Sequence, residues 1–294
     1  MSDRGDALRA ALARARAGAP VPHLDDDTFL GLRDLIAGAS GIAFDERSRF
    51  IVERRLVPRL RALRLDDFPS YYRYLLYSPE AGEELARMLE AVTIRESYFF
   101  REWPQFEAFR DELLPRFARE NAAERRLTIW SAGCATGEEP YSVAILVLES
   151  GLFDGWRVDV VGTDLVAPAI AAARRGLYRD ASLRATSDAT RDRYFSREGD
   201  NAWRLDECVR RMVTFEPFNL VDVARYATMP VTDAIFCRNV LIYFAEETRR
   251  RVAMGFHSRL RDGGYLLLGH AESLLTLATP FTLHHVGRDM VYRR

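Results

Sequence analysis

From residue 127 onward the chain alternates short apolar runs with helical stretches, and this rhythm restricts the fold more than any other feature of the sequence. Leu127-Thr128-Ile129-Trp130 is an apolar strand, followed by a small-residue turn from Ser131 to Gly137 and a helix from Glu138 to Ser150. Arg157 to Asp164 reads as a second strand ahead of an Ala-rich helix over 167–175, Ala234 to Cys237 as a third and Tyr265 to Gly269 as a fourth. Strands separated by helices pair in parallel, because the intervening helix carries the chain back to the starting edge. The expected fold class is therefore α/β with a doubly wound sheet. Within 190–217 the rhythm breaks: Arg193 to Ser196, Trp203 to Leu205 and Met212 to Phe215 read as short antiparallel strands, a small β insertion.

The chain ahead of this region is helical. Residues 1–22 are rich in Ala and Arg, close on two prolines and read as a flexible tail. A small all-α domain is expected over 23–96. Its first helix carries Phe29, Leu32 and Leu35, with Asp27 or Thr28 as cap and Gly41 as stop. Its second, Ser48 to Arg64, places Val52, Leu56, Leu60 and Leu63 on one face, and Pro58 is expected to kink or split it. Residues 97–104 link this domain to the α/β domain over 105–294.

Composition removes several classes of function. A net charge of −1 gives no global attraction to nucleic acid or to a membrane surface. All 42 basic residues are arginine, so neither a Schiff-base lysine nor a phosphate-loop lysine exists. The three cysteines, Cys134, Cys208 and Cys237, form no CxxC pair and have no histidine cluster beside them, so neither a zinc site nor a disulfide framework is expected. His284 and His285 are adjacent and point to opposite faces of a strand, and no metal is assigned. No apolar run reaches the roughly 18 residues that span a bilayer, and no signal core opens the chain; a cytoplasmic monomer is expected.

The turn after the first strand is where an open α/β sheet takes a nucleotide. Here it reads Ser131-Ala132-Gly133-Cys134-Ala135-Thr136-Gly137-Glu138-Glu139, without GxGxxG spacing and with two carboxylates where a pyrophosphate needs bare N–H groups. A cationic, phosphate-free ligand such as S-adenosylmethionine suits it better, its ammonium held by Glu138 or Glu139; alternatively both glutamates only favour the helix N-terminus electrostatically. Asp164, about 25 residues past the turn, is placed for ribose hydroxyls or as a cap for the next helix. Arg238 and Asn239 follow the third strand at the same sheet edge.

Six strings together resemble the CheR family of chemotaxis receptor methyltransferases: Ser97 to Glu102 (SYFFRE), Trp130 to Tyr141 (WSAGCATGEEPY), Gly162-Thr163-Asp164, Phe218-Asn219-Leu220, Phe236 to Phe244 (FCRNVLIYF) and Gly264 to Ser273 (GYLLLGHAES). The resemblance implies an all-helical N-terminal domain and a Rossmann-like catalytic domain with a three-stranded β insertion. It implies methyl transfer from S-adenosylmethionine to receptor glutamates, giving methyl esters for sensory adaptation and S-adenosylhomocysteine as product. Carried over by position, Arg101 and the Ser97 hydroxyl meet the methionine end. One of Glu138 and Glu139 binds the amino group, Asp164 the ribose, and Asn219 and Leu220 flank the adenine. Arg238 and Asn239 close the pocket, and Tyr243 lies beside the departing methyl, unless it is only a core aromatic. The family often has Asn where this chain has Arg95.

The helix over 48–64 has two readings. Arg47, Arg54 and Arg61 recur every seven residues, either as a solvated face or as a dock for the acidic helical segments of a receptor, with Arg54, Arg55 and Arg59 as contacts. Docking is the role the resemblance implies. The loop Arg197-Glu198-Gly199-Asp200-Asn201-Ala202 is short and acidic, so pairing of the insertion with a receptor tail peptide is not expected. A non-catalytic cofactor-sensing module of the same fold is the alternative; an RNA methyltransferase and a dehydrogenase fit the residues less well.

Overall fold

The computed structural model describes residues 22–93 and 96–294, which fall into two compact units. The tail expected over 1–22 lies outside the described residues except for Pro22, and so does Arg95.

One unit holds residues 22–39 and Phe44–Thr93 and is helical: α1 (Asp26–Ser40), α2 (Arg49–Leu63), α3 (Phe68–Tyr77) and α4 (Ala81–Val92). The cap of α1 is Asp25, whose carboxylate accepts the Thr28 N–H at 2.9 Å, so the helix starts before the expected Asp27 or Thr28. Gly41, at φ +79°, follows its end as expected, but the buried stripe runs through Phe29, Leu32 and Ile36 rather than Leu35. α2 is not split at Pro58, which lies inside one continuous helix. A proline removes a single ladder bond, and burial of Val52, Leu56 and Leu60 along one side holds the helix across that gap.

Against these apolar residues the unit buries one carboxylate, Glu84, which is 1% exposed. Arg59 grips it with two N–H···O bonds, of 2.9 and 2.6 Å, and the Tyr71 hydroxyl donates a third at 2.8 Å. Burial and the neighbouring Glu84 charge push the Tyr71 hydroxyl well above its ordinary pKa, so it stays a donor.

The second unit, Ser40–Ala43 with residues 96–294, is built on a seven-stranded sheet. Its strands are β1 (Arg126–Ala132), β2 (Arg157–Asp164), β6 (Val213–Pro217), β7 (Thr232–Cys237), β8 (Leu260–Leu268), β9 (Thr282–Val286) and β10 (Asp289–Arg293), in the order β6-β2-β1-β7-β8-β10-β9. The first five strands in that order are parallel, and the last two add an antiparallel hairpin. The chain runs outward from β1 through β2 to β6, then returns to β7 on the other side. The crevice at the carboxyl ends of β1 and β7 is thus the point where strand order reverses, the usual ligand position in such sheets.

β1 is buried on both faces. Leu127 and Ile129 enter the core covered by α5 (Trp103–Ala108), α6 (Leu114–Glu120), α7 (Glu138–Ser150) and α8 (Ala167–Arg175). Trp130 and Ala132 enter the opposite core, where Trp130 packs on Phe218, Tyr226 and Phe256. α5 and α6 are one rod joined by a π-helical turn, Phe109–Leu113.

The small antiparallel sheet is present with a different membership. It consists of β3 (Leu177–Tyr178), β5 (Ala202–Leu205) and β4 (Phe195–Glu198), in that order. The run expected as its third strand, Met212 to Phe215, belongs instead to β6, parallel to β2 with Val160 opposite Val213. The insertion therefore begins before residue 190 and ends before β6. Apolar alternation at Val213 and Phe215 is the same for either sheet; which edge it joins depends on partners far away in sequence.

Replacing Glu84 with Ala leaves a partly exposed guanidinium and a buried hydroxyl without their acceptor. We expect it to cost about 2–3 kcal/mol of stability, mainly from the unsatisfied Tyr71 hydroxyl, read as a lower denaturant midpoint of the helical unit's unfolding transition.

Candidate active site

The turn after β1 is built from backbone conformations that side chains resist. Gly133 has φ +79°, Ala135 +48° and Gly137 +93°. A Cβ on Gly133 would stand 2.4 Å from Val240 Cγ2, so the close approach of the β7 loop requires glycine here. The Thr163 carbonyl accepts the N–H groups of Gly133 and Cys134 at 2.7 and 2.9 Å. Asp164, at the end of β2, completes this scaffold with both oxygens: Oδ2 accepts Ala135 N–H at 2.8 Å and Oδ1 accepts Val166 N–H at 2.9 Å. The Asp164 carbonyl accepts Phe218 N–H at 2.9 Å, which draws in the loop after β6. Leu220 is buried there, and the Asn219 side chain accepts Val221 N–H at 3.2 Å.

The two glutamates that open α7 diverge. Glu138 accepts from Thr136 Oγ1 at 2.7 Å and from Ser182 Oγ at 3.1 Å. Glu139 accepts from Ser131 Oγ at 2.8 Å and faces Arg238 Nη1 at 3.3 Å. Each has specific partners, which a purely dipolar role does not require. Burial pushes the Glu139 carboxyl above its ordinary pKa, against the opposing pull of Arg238 and Ser131.

The segment from Glu96 to Glu102 is held at the same sheet edge. Phe99 and Phe100 are buried, with Phe99 N–H on the Ser182 carbonyl at 2.9 Å and Phe100 N–H on Ser142 Oγ at 3.0 Å. Left-handed turns at Phe100 and Glu102, φ +56° and +58°, flank Arg101. Arg101 donates to the Glu96 carbonyl at 2.6 Å, and Ser97 is half-buried. Tyr98 lies between two guanidiniums, Arg184 at 3.6 Å and Arg101 at 5.9 Å from its ring centre.

Arg238 ties these pieces together. Its side chain is 2% exposed, stacks on Phe106, and reaches the Arg101 carbonyl at 2.6 Å, Glu102 Oε2 at 3.0 Å and Glu139 Oε2 at 3.3 Å. Asn239, at φ +59°, donates its amide to Glu102 Oε1 at 3.3 Å. Burial pushes the Glu102 carboxyl up, but Arg238, Asn239 and His270 together outweigh it and leave the carboxyl below its ordinary range. Tyr243 ends the 3₁₀ turn Leu241–Tyr243, and its carbonyl accepts Ala43 N–H at 2.8 Å.

Ser97, Arg101, Glu138, Glu139, Asp164, Asn219, Leu220, Arg238, Asn239 and Tyr243 thus lie on α7, on the segment leading into α5, and at the carboxyl ends of β1, β2, β6 and β7. The three arginines expected to dock a receptor, Arg54, Arg55 and Arg59, lie in the helical unit, and two of them are engaged within it. Arg59 holds Glu84 and Arg55 donates to the Val92 carbonyl at the end of α4, whereas Arg54 is exposed. Sequence reasoning assigned no role to Glu102 or Glu272, although both stand in the strings quoted above; an acidic loop residue reads as solvent-facing until its partners are seen. Glu272 accepts four backbone N–H groups, from Asn239, Val240, Leu241 and Gly269. Among the described residues no group of three or more His, Cys, Asp or Glu is placed to hold a metal ion.

Comparison with known proteins bears on the same residues. The family model for the CheR methyltransferase S-adenosylmethionine-binding domain matches residues 95–288, and that for the CheR methyltransferase all-alpha domain matches 27–93. The chain belongs to the CheR methyltransferase family. It is 33% identical to chemotaxis protein methyltransferase 2 of Vibrio cholerae over 90% of this chain and 91% of that one. It is 35% identical to chemotaxis protein methyltransferase 1 of Pseudomonas aeruginosa over 86% and 92%. The protein is accordingly an S-adenosylmethionine-binding methyltransferase of the chemotaxis class. At this sheet edge four acidic side chains (Glu102, Glu138, Glu139, Asp164) stand beside two guanidiniums (Arg101, Arg238), a balance that attracts cations. Among the described residues no helix is long and apolar enough to cross a membrane.

Glu102→Ala removes an acceptor from both Arg238 and Asn239 while Glu139 and the Arg101 carbonyl remain. We expect a loss of about 2–3 kcal/mol, below that of a fully stranded buried charge, measured by denaturant unfolding. No change in stability would show that Glu102 does not support the Arg238 cluster.

Proposed function

We propose that this enzyme esterifies glutamate side chains of chemotaxis receptors. The observation that carries the reading is a sheet edge lined by Glu102, Glu138, Glu139 and Asp164, acceptors suited to a cationic methyl donor. When bound, S-adenosylmethionine supplies a methyl carbon activated by a sulfonium and leaves as the neutral thioether. A receptor glutamate, with a reference pKa of about 4.3, already presents an anionic nucleophile at neutral pH, so the protein's task is alignment and exclusion of water. Asp164 would take the ribose hydroxyls and one of Glu138 and Glu139 the ammonium. Arg101 and the Ser97 hydroxyl would take the methionine carboxylate, and Asn219 and Leu220 the adenine. Arg238 and Asn239 would close the pocket, with Tyr243 beside the transferred methyl.

Recognition of the receptor falls to an exposed face leading into and along α2. Arg47, Ile51, Arg54, Pro58 and Arg61 follow at helical spacing and are all exposed, with Phe50 beside them 67% exposed. Cations interleaved with apolar side chains suit an acidic amphipathic helix. Arg47 and Arg61 replace Arg55 and Arg59 as docking contacts, because the latter two are engaged within the unit. Methylation in this reading needs no receptor tail peptide bound at the small sheet. Glu198, at the hairpin between β4 and β5, is paired with Arg204, and Arg197 packs over Trp203 at 4.3 Å, so these two charges have partners within the sheet.

The deciding experiment is transfer of labelled methyl from S-adenosylmethionine to candidate receptors, with base-labile label as the mark of an ester; base-stable label would refute glutamate esterification. Asp164→Ala should weaken cofactor binding by about 1–3 kcal/mol, the usual loss of a charged hydrogen-bond partner, and unchanged affinity by calorimetry would remove Asp164 from the site. Reversing Arg47, Arg54 and Arg61 to Glu should slow receptor methylation, most strongly at low salt, where charges are least screened. A rate indifferent to both changes would refute docking by this face, and micromolar binding of a receptor tail pentapeptide would refute independence of the receptor tail.

A further inference from the structure

Among the described residues the Glu272 carboxylate accepts only backbone N–H groups, those of Asn239, Val240, Leu241 and Gly269. We propose that Glu272 is a positioning residue for methyl transfer, its carboxylate clamping the corner after β7 that presents Arg238, Asn239 and Tyr243. This rests on the reaction proposed above.

The geometry is complete at both oxygens. Oε2 accepts Asn239 N–H and Gly269 N–H, each at 2.7 Å, while Oε1 accepts Val240 N–H at 2.9 Å and Leu241 N–H at 2.6 Å. Three consecutive N–H groups converging on one carboxylate form an anion nest, here filled by a side chain of the same protein. The nest exists because Asn239 takes a left-handed conformation, φ +59°, which asparagine tolerates better than other non-glycine residues and which turns the successive N–H groups to one side. The surroundings leave no slack. A Cβ on Gly269 would lie 2.8 Å from Glu272 Oε2 and 3.0 Å from both Asn239 nitrogens. The Glu272 N–H in turn donates to the Gly269 carbonyl at 2.9 Å, so the β8 turn and the β7 corner close on each other.

The consequence is directional. Immediately before the corner lies Arg238, bonded to Glu102, to Glu139 and to the Arg101 carbonyl; at its end the 3₁₀ turn Leu241–Tyr243 sets the tyrosine. Asp164 and Glu138 stand on other turns, which Glu272 does not touch. Loosening the clamp therefore disturbs the corner that sets Arg238, Asn239 and Tyr243 more than it disturbs Asp164, which is held by a different turn.

The test is Glu272→Gln in the full chain, nearly the same shape but with an NH2 facing N–H donors. Its thermal unfolding, its cofactor dissociation constant by calorimetry and its kcat for receptor methylation at saturating cofactor are measured beside the wild type. We expect kcat to fall about 100-fold, the scale of a small misplacement of reacting groups, with a much smaller change in cofactor affinity. If E272Q does not fold, E272D, which keeps the charge one methylene short, takes its place under the same criteria. A folded variant with wild-type kcat overturns the clamp, and so does a loss confined to cofactor affinity. A wild-type enzyme that methylates no receptor carboxylate refutes the proposed function instead, which separates the two failures.

Discussion

A buried guanidinium organises the catalytic unit. Arg238 is the residue at which the segment before α5, the start of α7 and the end of β7 meet: the first supplies the Arg101 carbonyl and Glu102 as acceptors and the second supplies Glu139. A charge so removed from water must be paired nearly completely, because the loss of solvation is recovered only by close, well-aligned acceptors. That requirement fixes where Glu102 and Glu139 point. Through Glu102 it extends to Asn239, and through Glu139 to Ser131 on β1. The residues expected to handle the cofactor's methionine end thus sit on the same network that satisfies one cation.

Around this centre, carboxylates do the work that helix and sheet ladders do elsewhere. Turns at a sheet edge leave N–H groups unpaired, and buried N–H groups need acceptors. Asp164 takes two of them after β1 and β2, and Glu272 takes four after β7 and β8.

The helical unit divides its arginines by the same rule. Arg59 is committed to the buried Glu84 and Arg55 to the end of α4, which leaves Arg47, Arg54 and Arg61 facing solvent beside Phe50 and Ile51. An arginine-rich helix is therefore two surfaces, one structural and one presented outward, and only the packing of α2 against α3 and α4 separates them.

Much of this was legible in the residues. The alternation from Leu127 onward determined a parallel, doubly wound sheet, and six strings in order determined the family and its methyl donor, because local periodicity and short-range turn chemistry are properties of contiguous sequence. Gly133 and Gly137 marked the turn, and Asp164 and Arg238 marked the strand ends. What the tertiary structure alone decided involves partners far apart in the chain. Val213–Pro217 joins β2 rather than the small sheet, whose place is filled by Leu177–Tyr178. Glu272 reaches Asn239 across 33 positions, Arg238 reaches Glu102 across 136, and Arg59 reaches Glu84 across 25. An isolated glutamate or arginine carries no mark in sequence of whether it will face water or an opposite charge; that is settled only when folding removes the water and leaves a single partner within hydrogen-bond reach.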